Sequence, residues 1–421
     1  MIQQEHYDVC VIGAGPAGST AACELAARGL RTVLIDRASF PRDKVCGDGI
    51  SPRAVRILKE MGLHDEEVFS RFCRIEGVRI SSPGRRLMEV RLTGDPEVEE
   101  GYVIPRKVFD HFLLQAALRR GAEIREGCEV LEIESAKRDA CIRARTRQGR
   151  TFSLHAGYVV AAWGAHAGRL LRSRRTAPAA DRLSVVAVRA YFEGVEPGPP
   201  FMEIHFDPGL VPGYGWFFPT GRGSANVGYG MRLDCLRARR DREPLRSLFR
   251  QLVETNPFLT RSLRNAAQVG PLRGARIPFR GVFRPLARGR VLMVGDAAGL
   301  ADPLSGEGIA TAMRSGSLAA RSIVSAVGSG DPRSEASRTY RSDCRSEITR
   351  DLLCARILQS ILVRPALVGP ERLLDLFVEK AQQNARLARA IARLVIGDLP
   401  RTAVLRGAAW KKLFRALRGR S

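Results

Sequence analysis

Three glycines near the start of the chain have the spacing of a phosphate-binding turn. Gly13, Gly15 and Gly18 follow an apolar run over residues 7–12 and precede a stretch of helix-forming residues. Gly13 permits a tight turn, Gly15 lets the backbone approach a pyrophosphate, and Gly18 lets the helix pack closely on the strand. The first helical turn, around Ala17, then directs free N–H groups and the positive end of the helix dipole at the phosphates.

An acidic residue ends the second apolar run. Residues 32–35 form that run, and Asp36 and Arg37 follow it. Asp36 lies about twenty residues beyond the glycine turn, where a carboxylate accepts the ribose hydroxyls of a dinucleotide. Strand, turn, helix, strand and terminal acid therefore predict a dinucleotide-binding unit, in which Ala17, Asp36 and Arg37 join the glycines at the cofactor.

A second glycine-rich motif lies far downstream. An apolar run at residues 290–294 precedes the segments 295–299 (GDAAG) and 303–309 (PLSGEGI). They resemble the second FAD-binding motif of flavoproteins similar to para-hydroxybenzoate hydroxylase, which implies that Asp296 binds the ribityl chain of FAD. The resemblance also places the following residues beside the cofactor: Gly299, Pro303, Gly306, Gly308 and Ile309. The next helix would direct its N-terminus at the flavin, where a helix dipole stabilises the anionic reduced ring.

Two further segments extend this resemblance. In the same flavoprotein class an arginine in the position of Arg106, at the start of a helical segment, lies close to FAD. Residues 159–165 resemble the third motif of the class, but Trp163 stands where the class has an aspartate. That departure concerns the contacts of this segment and leaves FAD binding itself intact.

A cysteine loop and an aromatic strand narrow the chemistry. Residues 41–49 have the pattern PxxxxCGxG, and residues 214–230 have the pattern YxWxFPxGxxxxNVGxG. Together the two patterns resemble the geranylgeranyl reductase family, and the resemblance covers most of residues 7–330. It implies a flavoenzyme that saturates isolated C=C bonds in the prenyl chains of lipids, chlorophyll precursors or quinones.

Cys46 is a candidate catalytic residue of this loop. Its flexible glycine neighbours and the nearby cation of Lys44 are conditions that lower the pKa of a thiol. The resemblance places the motif cysteine, and with it Gly47, near the flavin, where it would tune reduction or substrate position or act as a general acid. The alternative is a small buried hydrophobic residue, the commonest fate of a free cysteine.

The aromatic strand fits a pocket for an apolar prenyl chain. Hydride addition to an unactivated alkene develops positive charge that water would quench, so the reaction needs a dry cleft. Tyr214, Trp216, Phe217 and Phe218 supply apolar walls and π faces, and Pro219 interrupts the strand pattern. We expect Tyr214 and Trp216 to act in catalysis and to bind substrate together with Phe218 and Pro219. The alternative is an aromatic cluster in the core of a sheet.

The composition excludes several classes of protein. With 45% hydrophobic and 27% charged residues the chain has ordinary globular composition, and it lacks the roughly 18 apolar residues in a row that a spanning helix needs. Glu5 and Asp8 stand where a signal peptide would be positive. The nine cysteines form no CxxC pair and the six histidines share no ligand spacing. We therefore expect reduced thiols in the cytoplasm and no metal site.

The motifs predict a mixed α/β chain with an inserted sheet and a helical end. A discontinuous Rossmann-like, FAD-binding domain of the para-hydroxybenzoate-hydroxylase type is expected at residues 1–75, 100–175 and 270–330. Alternating apolar residues predict an antiparallel substrate-binding sheet at residues 76–99 and 176–269. Residues 331–421 are expected to be helical.

The end of the chain is basic and amphipathic. Trp410, Leu413, Phe414 and Leu417 have the i, i+3, i+4, i+7 spacing of one helix face, with lysines and arginines around it. Such a helix fits an interfacial membrane anchor, and the alternative is a helix packed on the protein with a solvated charged face. The formal net charge of +24 favours an anionic partner, although an excess of arginine also follows from GC-rich coding. Nucleic acid is disfavoured because no recognisable binding module is present.

Together these patterns predict an FAD-dependent oxidoreductase that reduces isolated C=C bonds in the prenyl chain of an isoprenoid lipid. We expect a monomer at an anionic membrane surface, on the inner face of the cell membrane, with NAD(P)H or a ferredoxin-like protein as electron donor. One alternative is a flavin monooxygenase or halogenase of the same fold that acts on an aromatic or polyketide substrate. Another is a flavin-binding lipid carrier or regulator without turnover. Chain length, head group and the number of bonds reduced stay open.

Overall fold

The computed structural model describes residues 5–135, 139–166, 184–221, 223–279, 285–329, 335–363 and 369–403. In chain order its strands are β1 (Glu5–Ile12), β2 (Thr32–Ile35), β3 (Gly49–Ile50), β4 (Cys73–Arg74), β5 (Gly77–Ser81), β6 (Leu87–Arg91), β7 (Tyr102–Val103), β8 (Glu123–Arg125), β9 (Cys128–Ser135), β10 (Ala140–Thr146), β11 (Thr151–Ala161), β12 (Ser184–Glu193), β13 (Phe201–His205), β14 (Tyr214–Gly221), β15 (Ser224–Arg232), β16 (Ala267–Pro278), β17 (Ala287–Arg288) and β18 (Val291–Met293). Its α-helices are α1 (Pro16–Ala26), α2 (Pro52–Glu60), α3 (Glu66–Phe69), α4 (Arg106–Arg119), α5 (Leu233–Ala238), α6 (Leu245–Thr255), α7 (Pro257–Ser262), α8 (Gly295–Ala298), α9 (Ile309–Ser329), α10 (Glu335–Cys344), α11 (Arg350–Val363), α12 (Pro370–Gln382) and α13 (Ala385–Val395).

A mainly parallel sheet carries the glycine turn. Its order is β17-β18-β11-β1-β2-β8, and β1 pairs in parallel with both β2 and β11. β2 pairs in parallel with β8 and β11 with β18, whereas β9 and β10 form an antiparallel extension on β11. Residues 9–12 and 32–35 are buried throughout. Continuous apolar runs of this kind are typical of parallel strands that are covered on both faces.

Helix α1 packs on both α4 and α9 beside this sheet. Gly316 of α9 allows a close approach to α1, because a Cβ atom there would overlap the carbonyl oxygen of Ala17. Gly295 lies in the same crowded region, and a Cβ on it would lie 3.2 Å from Cβ of Ala17. The first turn of α1 and the start of α8, which belong to the two glycine motifs, are therefore neighbours.

A second sheet has the order β16-β12-β15-β14-β13-β5-β6. Its strands are antiparallel except for the parallel pair β13 and β5. A small three-stranded sheet, β3-β7-β4, involves the chain that follows the cysteine loop. β16 continues in the second sheet to Pro278, across the boundary expected at residue 270. The division into domains otherwise stays a prediction.

The end of the described chain is helical, as expected. Helices α12 and α13 pack on each other and on β6, and Val378, Leu387 and Ile391 are buried with Met88 of β6 in one apolar cluster. Along the described part of the chain, no helix combines the length and apolar character needed to cross a bilayer. The basic amphipathic segment around Trp410 lies outside the described residues.

Candidate active site

The glycine turn connects β1 to α1, as its spacing predicts. Gly13 has φ +103°, a left-handed conformation that favours glycine, and a Cβ atom on Gly18 would overlap the carbonyl oxygen of Gly13. Gly15 is the N-cap of α1, and among the described residues no side chain caps this helix. Since a helix leaves its first N–H groups without intrahelical partners, this turn offers donors to an anion such as a pyrophosphate.

Asp36 lies directly after β2 and beside the glycine turn. Its Oδ2 accepts a hydrogen bond from the backbone N–H of Ala14 at 2.7 Å, and its Oδ1 accepts one from Ala38 at 2.8 Å. The carboxylate therefore braces the turn, and its contact with a ribose stays a prediction. Arg37, the next residue, is exposed, and its contact with the cofactor also stays a prediction.

The second glycine motif lies against the first. Asp296, in the first turn of α8, accepts a hydrogen bond from Nζ of Lys44 at 3.1 Å. A Cβ atom on Gly308 would lie 3.5 Å from Oδ1 of Asp296, and Gly299 ends α8 with φ +71°. The chain thus folds back so that the turn before α9 lies over the Asp296 carboxylate.

Neighbouring elements hold that turn from two sides. The hydroxyl of Tyr214 donates to the carbonyl of Ser305 at 2.6 Å, and a Cβ atom on Gly306 would lie 3.2 Å from the same hydroxyl. On another side, the side-chain amide of Gln359 in α11 donates to the carbonyl of Pro303. Ile309 follows as the first, buried residue of α9. The predicted flavin-facing turn is therefore tied to β14 and to α11.

Two arginines lie close to the glycine turn and the cysteine loop. Arg106 is buried at the start of α4, where its Nε and Nη2 donate to the two carboxylate oxygens of Asp110 at 2.6 and 2.7 Å. Arg42 also pairs with Asp110, at 2.8 Å, and a Cβ atom on Gly15 would lie 3.5 Å from its Nη2. The resemblance to the flavoprotein class predicted Arg106 as a site residue. Arg42 was not predicted, because no motif specifies an arginine at its position.

This arrangement fits FAD. The free first turn of α1 and the Arg42 guanidinium suit a pyrophosphate, and the Asp296 carboxylate suits a polyol chain. Gly15 leaves the backbone open beside Arg42, whereas Gly13 and Gly18 allow the close packing of the turn on its own backbone. The individual cofactor contacts of these residues stay predictions.

The aromatic residues of β14 divide between the two faces of the sheet. Tyr214, Trp216 and Phe218 alternate along one face, with ring centroids 6.5 and 6.4 Å apart. Phe217 points the other way, into a cluster with Leu248 and Leu252 of α6. Because side chains alternate along a strand, the expectation that Phe217 lines the same wall is wrong. Pro219 is half-buried next to an irregularity in the pairing of β14 with β15.

The cysteine loop lies on the aromatic face. A Cβ atom on Gly47 would lie 2.8 Å from Cε2 of Phe218 and 3.4 Å from Nε1 of Trp216. The side-chain amide of Asn226 donates to the carbonyl of Cys46 at 2.8 Å and accepts from Nε1 of Trp216 at 3.0 Å. The structure therefore brings together the cysteine loop and the aromatic strand, which are some 170 residues apart in the sequence.

The surroundings of Cys46 differ from those expected. Burial raises the pKa of the Cys46 thiol above its usual value, and the neighbouring Arg106 guanidinium only partly offsets this effect. Lys44, expected to be the activating cation, is instead paired with Asp296. The expectation that Lys44 lowers the pKa of this thiol is therefore wrong, and at neutral pH Cys46 is a neutral thiol.

Asp48 is a site residue that sequence reasoning missed. It has no exposed surface and accepts hydrogen bonds from the hydroxyl of Tyr191 at 2.5 Å and the amide of Asn226 at 2.8 Å. Burial raises its pKa to about 6, against the lowering effects of these hydrogen bonds and of Arg189 and Arg106. Asp48 and Asn226 both lie inside the motifs, but their partnership had no sequence signal.

Trp163 follows β11 and is close to the glycine turn, since a Cβ atom on Gly13 would lie 3.1 Å from its Cα. Its ring packs against the buried cluster on the other side of the parallel sheet. In the described ranges, no group of three or more His, Cys, Asp or Glu side chains is placed to hold a metal ion. All nine cysteines are free thiols.

Two family models match this chain. A model described as an FAD binding domain matches residues 6–186, and one described as FAD dependent oxidoreductase matches residues 98–322. The second match spans more than half of the chain. Both matches agree with the cofactor that the two glycine motifs predict.

Curated relatives carry reductase names. A menaquinone reductase of Mycobacterium tuberculosis is 31% identical over 76% of this chain and 77% of its own length. A digeranylgeranylglycerophospholipid reductase of Methanosarcina acetivorans is 30% identical over 90% of this chain and 91% of its own length. Both alignments thus cover more than three quarters of this chain.

Solved structures support the fold. A geranylgeranyl bacteriochlorophyll reductase-like protein of Thermoplasma acidophilum superposes with a TM-score of 0.77 and 26% identity, over 92% of this chain and 96% of its own. The flavin-dependent brominase Bmp2 superposes with a TM-score of 0.70 and 20% identity, over 93% and 94% of the two chains. At that identity the brominase shares the fold alone. The predicted fold class, with its FAD-binding part and helical end, is confirmed.

Proposed function

Because the chain belongs to the geranylgeranyl reductase family of FAD-dependent oxidoreductases, we propose that it saturates isolated C=C bonds in the prenyl chain of an isoprenoid lipid or quinone. The observation that carries this proposal is that the cysteine loop, the aromatic face of β14 and the turn before α9 meet at one place. Relatives named for menaquinone and for digeranylgeranylglycerophospholipids support a prenyl-bearing substrate.

The reaction adds a hydride to one alkene carbon and a proton to the other. Reduced FAD, when bound, supplies the hydride and is thereby oxidised. The proton is drawn ultimately from water, and an external donor returns two electrons per bond. We propose NAD(P)H or a ferredoxin-like protein as that donor.

The protein's own residues provide the surroundings for this addition. Tyr214, Trp216 and Phe218 present an apolar, π-rich face that excludes water and tolerates transient positive charge on the substrate. Cys46 lies on the cysteine loop, which packs against this face, and its thiol retains its proton at neutral pH. We propose that it orients the substrate or donates that proton. Pro219 completes the proposed substrate wall at the end of the strand.

Lipid mass spectrometry of a host that expresses the protein tests the reaction. We expect prenyl lipids that are heavier by pairs of hydrogen atoms, and fewer of them with Cys46→Ser at equal FAD content. Products heavier by oxygen or halogen would instead establish the monooxygenase or halogenase alternative, to which the brominase is similar only in fold. Retention of FAD with no product and no electron acceptor would favour a carrier.

We further propose that the protein is a monomer that binds the anionic, cytoplasmic face of the cell membrane through its basic C-terminal segment. The net charge of +24 supports electrostatic attraction. An apolar face supports it too: Leu353, Ile357 and Ile361 of α11 are each 40% or more exposed and repeat every four residues. The backbone N–H of Thr402 donates to Asp351 at 3.0 Å, so the chain leaves the described part beside the start of α11.

Sedimentation with vesicles tests the membrane proposal. We expect binding to anionic vesicles that weakens with salt, and loss of most binding when residues 405–421 are removed. Replacement of Leu353 and Ile357 by serine should weaken binding further, whereas Val108→Ser, at another exposed apolar position on α4, should leave it unchanged. Equal binding by all variants would refute the proposal, and a dimer mass by light scattering would refute the monomer.

A further inference from the structure

The Asp48 carboxylate has no part in the chemistry proposed above, yet its backbone conformation and its hydrogen bonds fix its position closely. Its backbone has φ +67°, a left-handed conformation that is uncommon for a residue other than glycine but tolerated by aspartate. It sits two residues after Cys46, with no exposed surface. A buried charge in such a place needs partners to offset its lost hydration.

Three separate elements supply those partners. Tyr191 of β12 donates to Oδ2 at 2.5 Å, and Asn226 of β15 donates to the same oxygen at 2.8 Å. The backbone N–H of Arg106, at the start of α4, donates to Oδ1 at 3.3 Å. The carboxylate therefore fastens the cysteine loop to the inserted sheet and to α4 at once.

Asn226 extends this fastening to the proposed substrate wall. Its amide has two N–H groups and one oxygen, and all are used: by Asp48, by the carbonyl of Cys46 and by the indole N–H of Trp216. The cysteine and the tryptophan are thus fixed relative to each other through one amide whose orientation the Asp48 carboxylate dictates.

We propose that Asp48 is a positioning residue, which holds the Cys46 loop against the Trp216 wall through Asn226 and Tyr191. The proposal deepens the proposed function, on which the importance of Cys46 rests. The charged groups that face Asp48 are the guanidinium groups of Arg106 from α4 and Arg189 from β12, and both favour its ionised form. With a pKa of about 6 the carboxyl is ionised at neutral pH, when its bonds to the two donors are strongest.

The rate at which N-ethylmaleimide labels Cys46 in the FAD-loaded protein tests this proposal without any substrate. Asp48→Gly keeps the left-handed backbone and deletes the carboxylate. Asp48→Asn keeps an oxygen that accepts from Tyr191 and Asn226. Tyr191→Phe removes one donor. Tyr7→Phe is the matched control, because its hydroxyl also donates to a carboxylate, Glu123 at 2.7 Å, far from the loop in the other sheet.

We expect Asp48→Gly to speed labelling of Cys46 by about tenfold, the equivalent of about 1.4 kcal/mol. Tyr191→Phe should speed it less, and Asp48→Asn and Tyr7→Phe should stay near the wild-type rate. Peptides that contain Cys141 and Cys235, both partly buried, serve as internal standards in the same digest, and FAD content should not change. If kcat also falls in Asp48→Gly but stays near the wild-type value in Asp48→Asn, the position of the loop is linked to turnover.

Wild-type labelling of Cys46 in both Asp48→Gly and Tyr191→Phe would overturn the proposal. Equal acceleration of all three peptides would do so too, because it would indicate general loosening rather than release of one loop. The outcome is separable from that of the proposed function. Absence of a saturated lipid product would remove the reductase proposal and leave the labelling result standing.

Discussion

A methyl group on Gly47 should narrow the proposed prenyl pocket without disturbing the cofactor. The added Cβ atom would lie 2.8 Å from Cε2 and 3.1 Å from Cδ2 of Phe218, where carbon atoms normally stay about 3.5–4.0 Å apart. The ring must therefore move by roughly 0.5–1 Å, which it can do because Phe218 is only partly buried. Overpacking of this kind costs about 1–3 kcal/mol. Where the displaced ring takes up substrate space, the cost falls on the bound state and corresponds to about 5- to 150-fold in substrate affinity.

Steady-state kinetics with a prenyl substrate, together with flavin content, would measure this effect. We expect Gly47→Ala to raise KM by that factor while FAD is retained, and Phe218→Leu in the same chain to restore part of the loss. Gly198→Ala, at a position with open space around it, should behave as wild type. An unchanged kcat/KM for Gly47→Ala, or no rescue by the smaller side chain, would show that the loop does not contact the substrate wall in solution.

Three other changes probe the cofactor turn, the flavin-facing turn and the buried carboxylate. Gly18→Ala should weaken FAD binding by at least about tenfold, because its Cβ overlaps the backbone of Gly13; a flavin titration with wild-type affinity would contradict this. Tyr214→Phe should lower the free energy of unfolding by about 1 kcal/mol, since it loses the bond to Ser305; a coincident urea curve would argue against it. The pKa of Asp48 is raised from 3.8, its value in the unfolded chain, to about 6 in the folded protein. The protonated carboxyl therefore stabilises the fold fully below about pH 3.8, and this stabilisation is lost as pH rises through about 6. Between about pH 3.8 and about 6 the free energy of unfolding of the wild type should therefore fall by about 3 kcal/mol relative to that of Asp48→Asn. A difference between the two urea unfolding free energies that does not change with pH would refute this.

The parts of the site that the sequence predicts are those governed by local backbone chemistry. Gly13 and Gly18 are recognisable because a tight turn and a close helix admit no Cβ atom, and this requirement appears as spacing. The alternation of Tyr214, Trp216 and Phe218 is equally local, and the same period of two places Phe217 on the other face. That error came from treating a run of aromatic residues as one wall.

The parts of the site that the sequence did not predict depend on contacts between segments that are far apart in the chain. Asp48 meets Tyr191 and Asn226 across 143 and 178 residues, and no spacing rule relates such positions. Lys44 lies two residues from Cys46, yet its ammonium pairs with Asp296, 252 residues away. Proximity in sequence therefore predicted the wrong partner, because an available carboxylate in space attracts the cation more strongly than an uncharged thiol does.

The topology explains why motifs so far apart in the sequence converge. Gly13 follows β1, Asp36 follows β2, Trp163 follows β11 and Asp296 follows β18, and these four strands are parallel. The carboxyl ends of parallel strands meet at one edge of the sheet, which is where open α/β sheets bind their ligands. The inserted sheet then needs only to reach this edge. It does so at the cysteine loop, through Asp48 and through the pair of Arg189 with Asp43, and at the turn before α9, through Tyr214. Because the proposed site lies at the junction of the two sheets, we expect changes at the junction to alter turnover before they unfold either sheet.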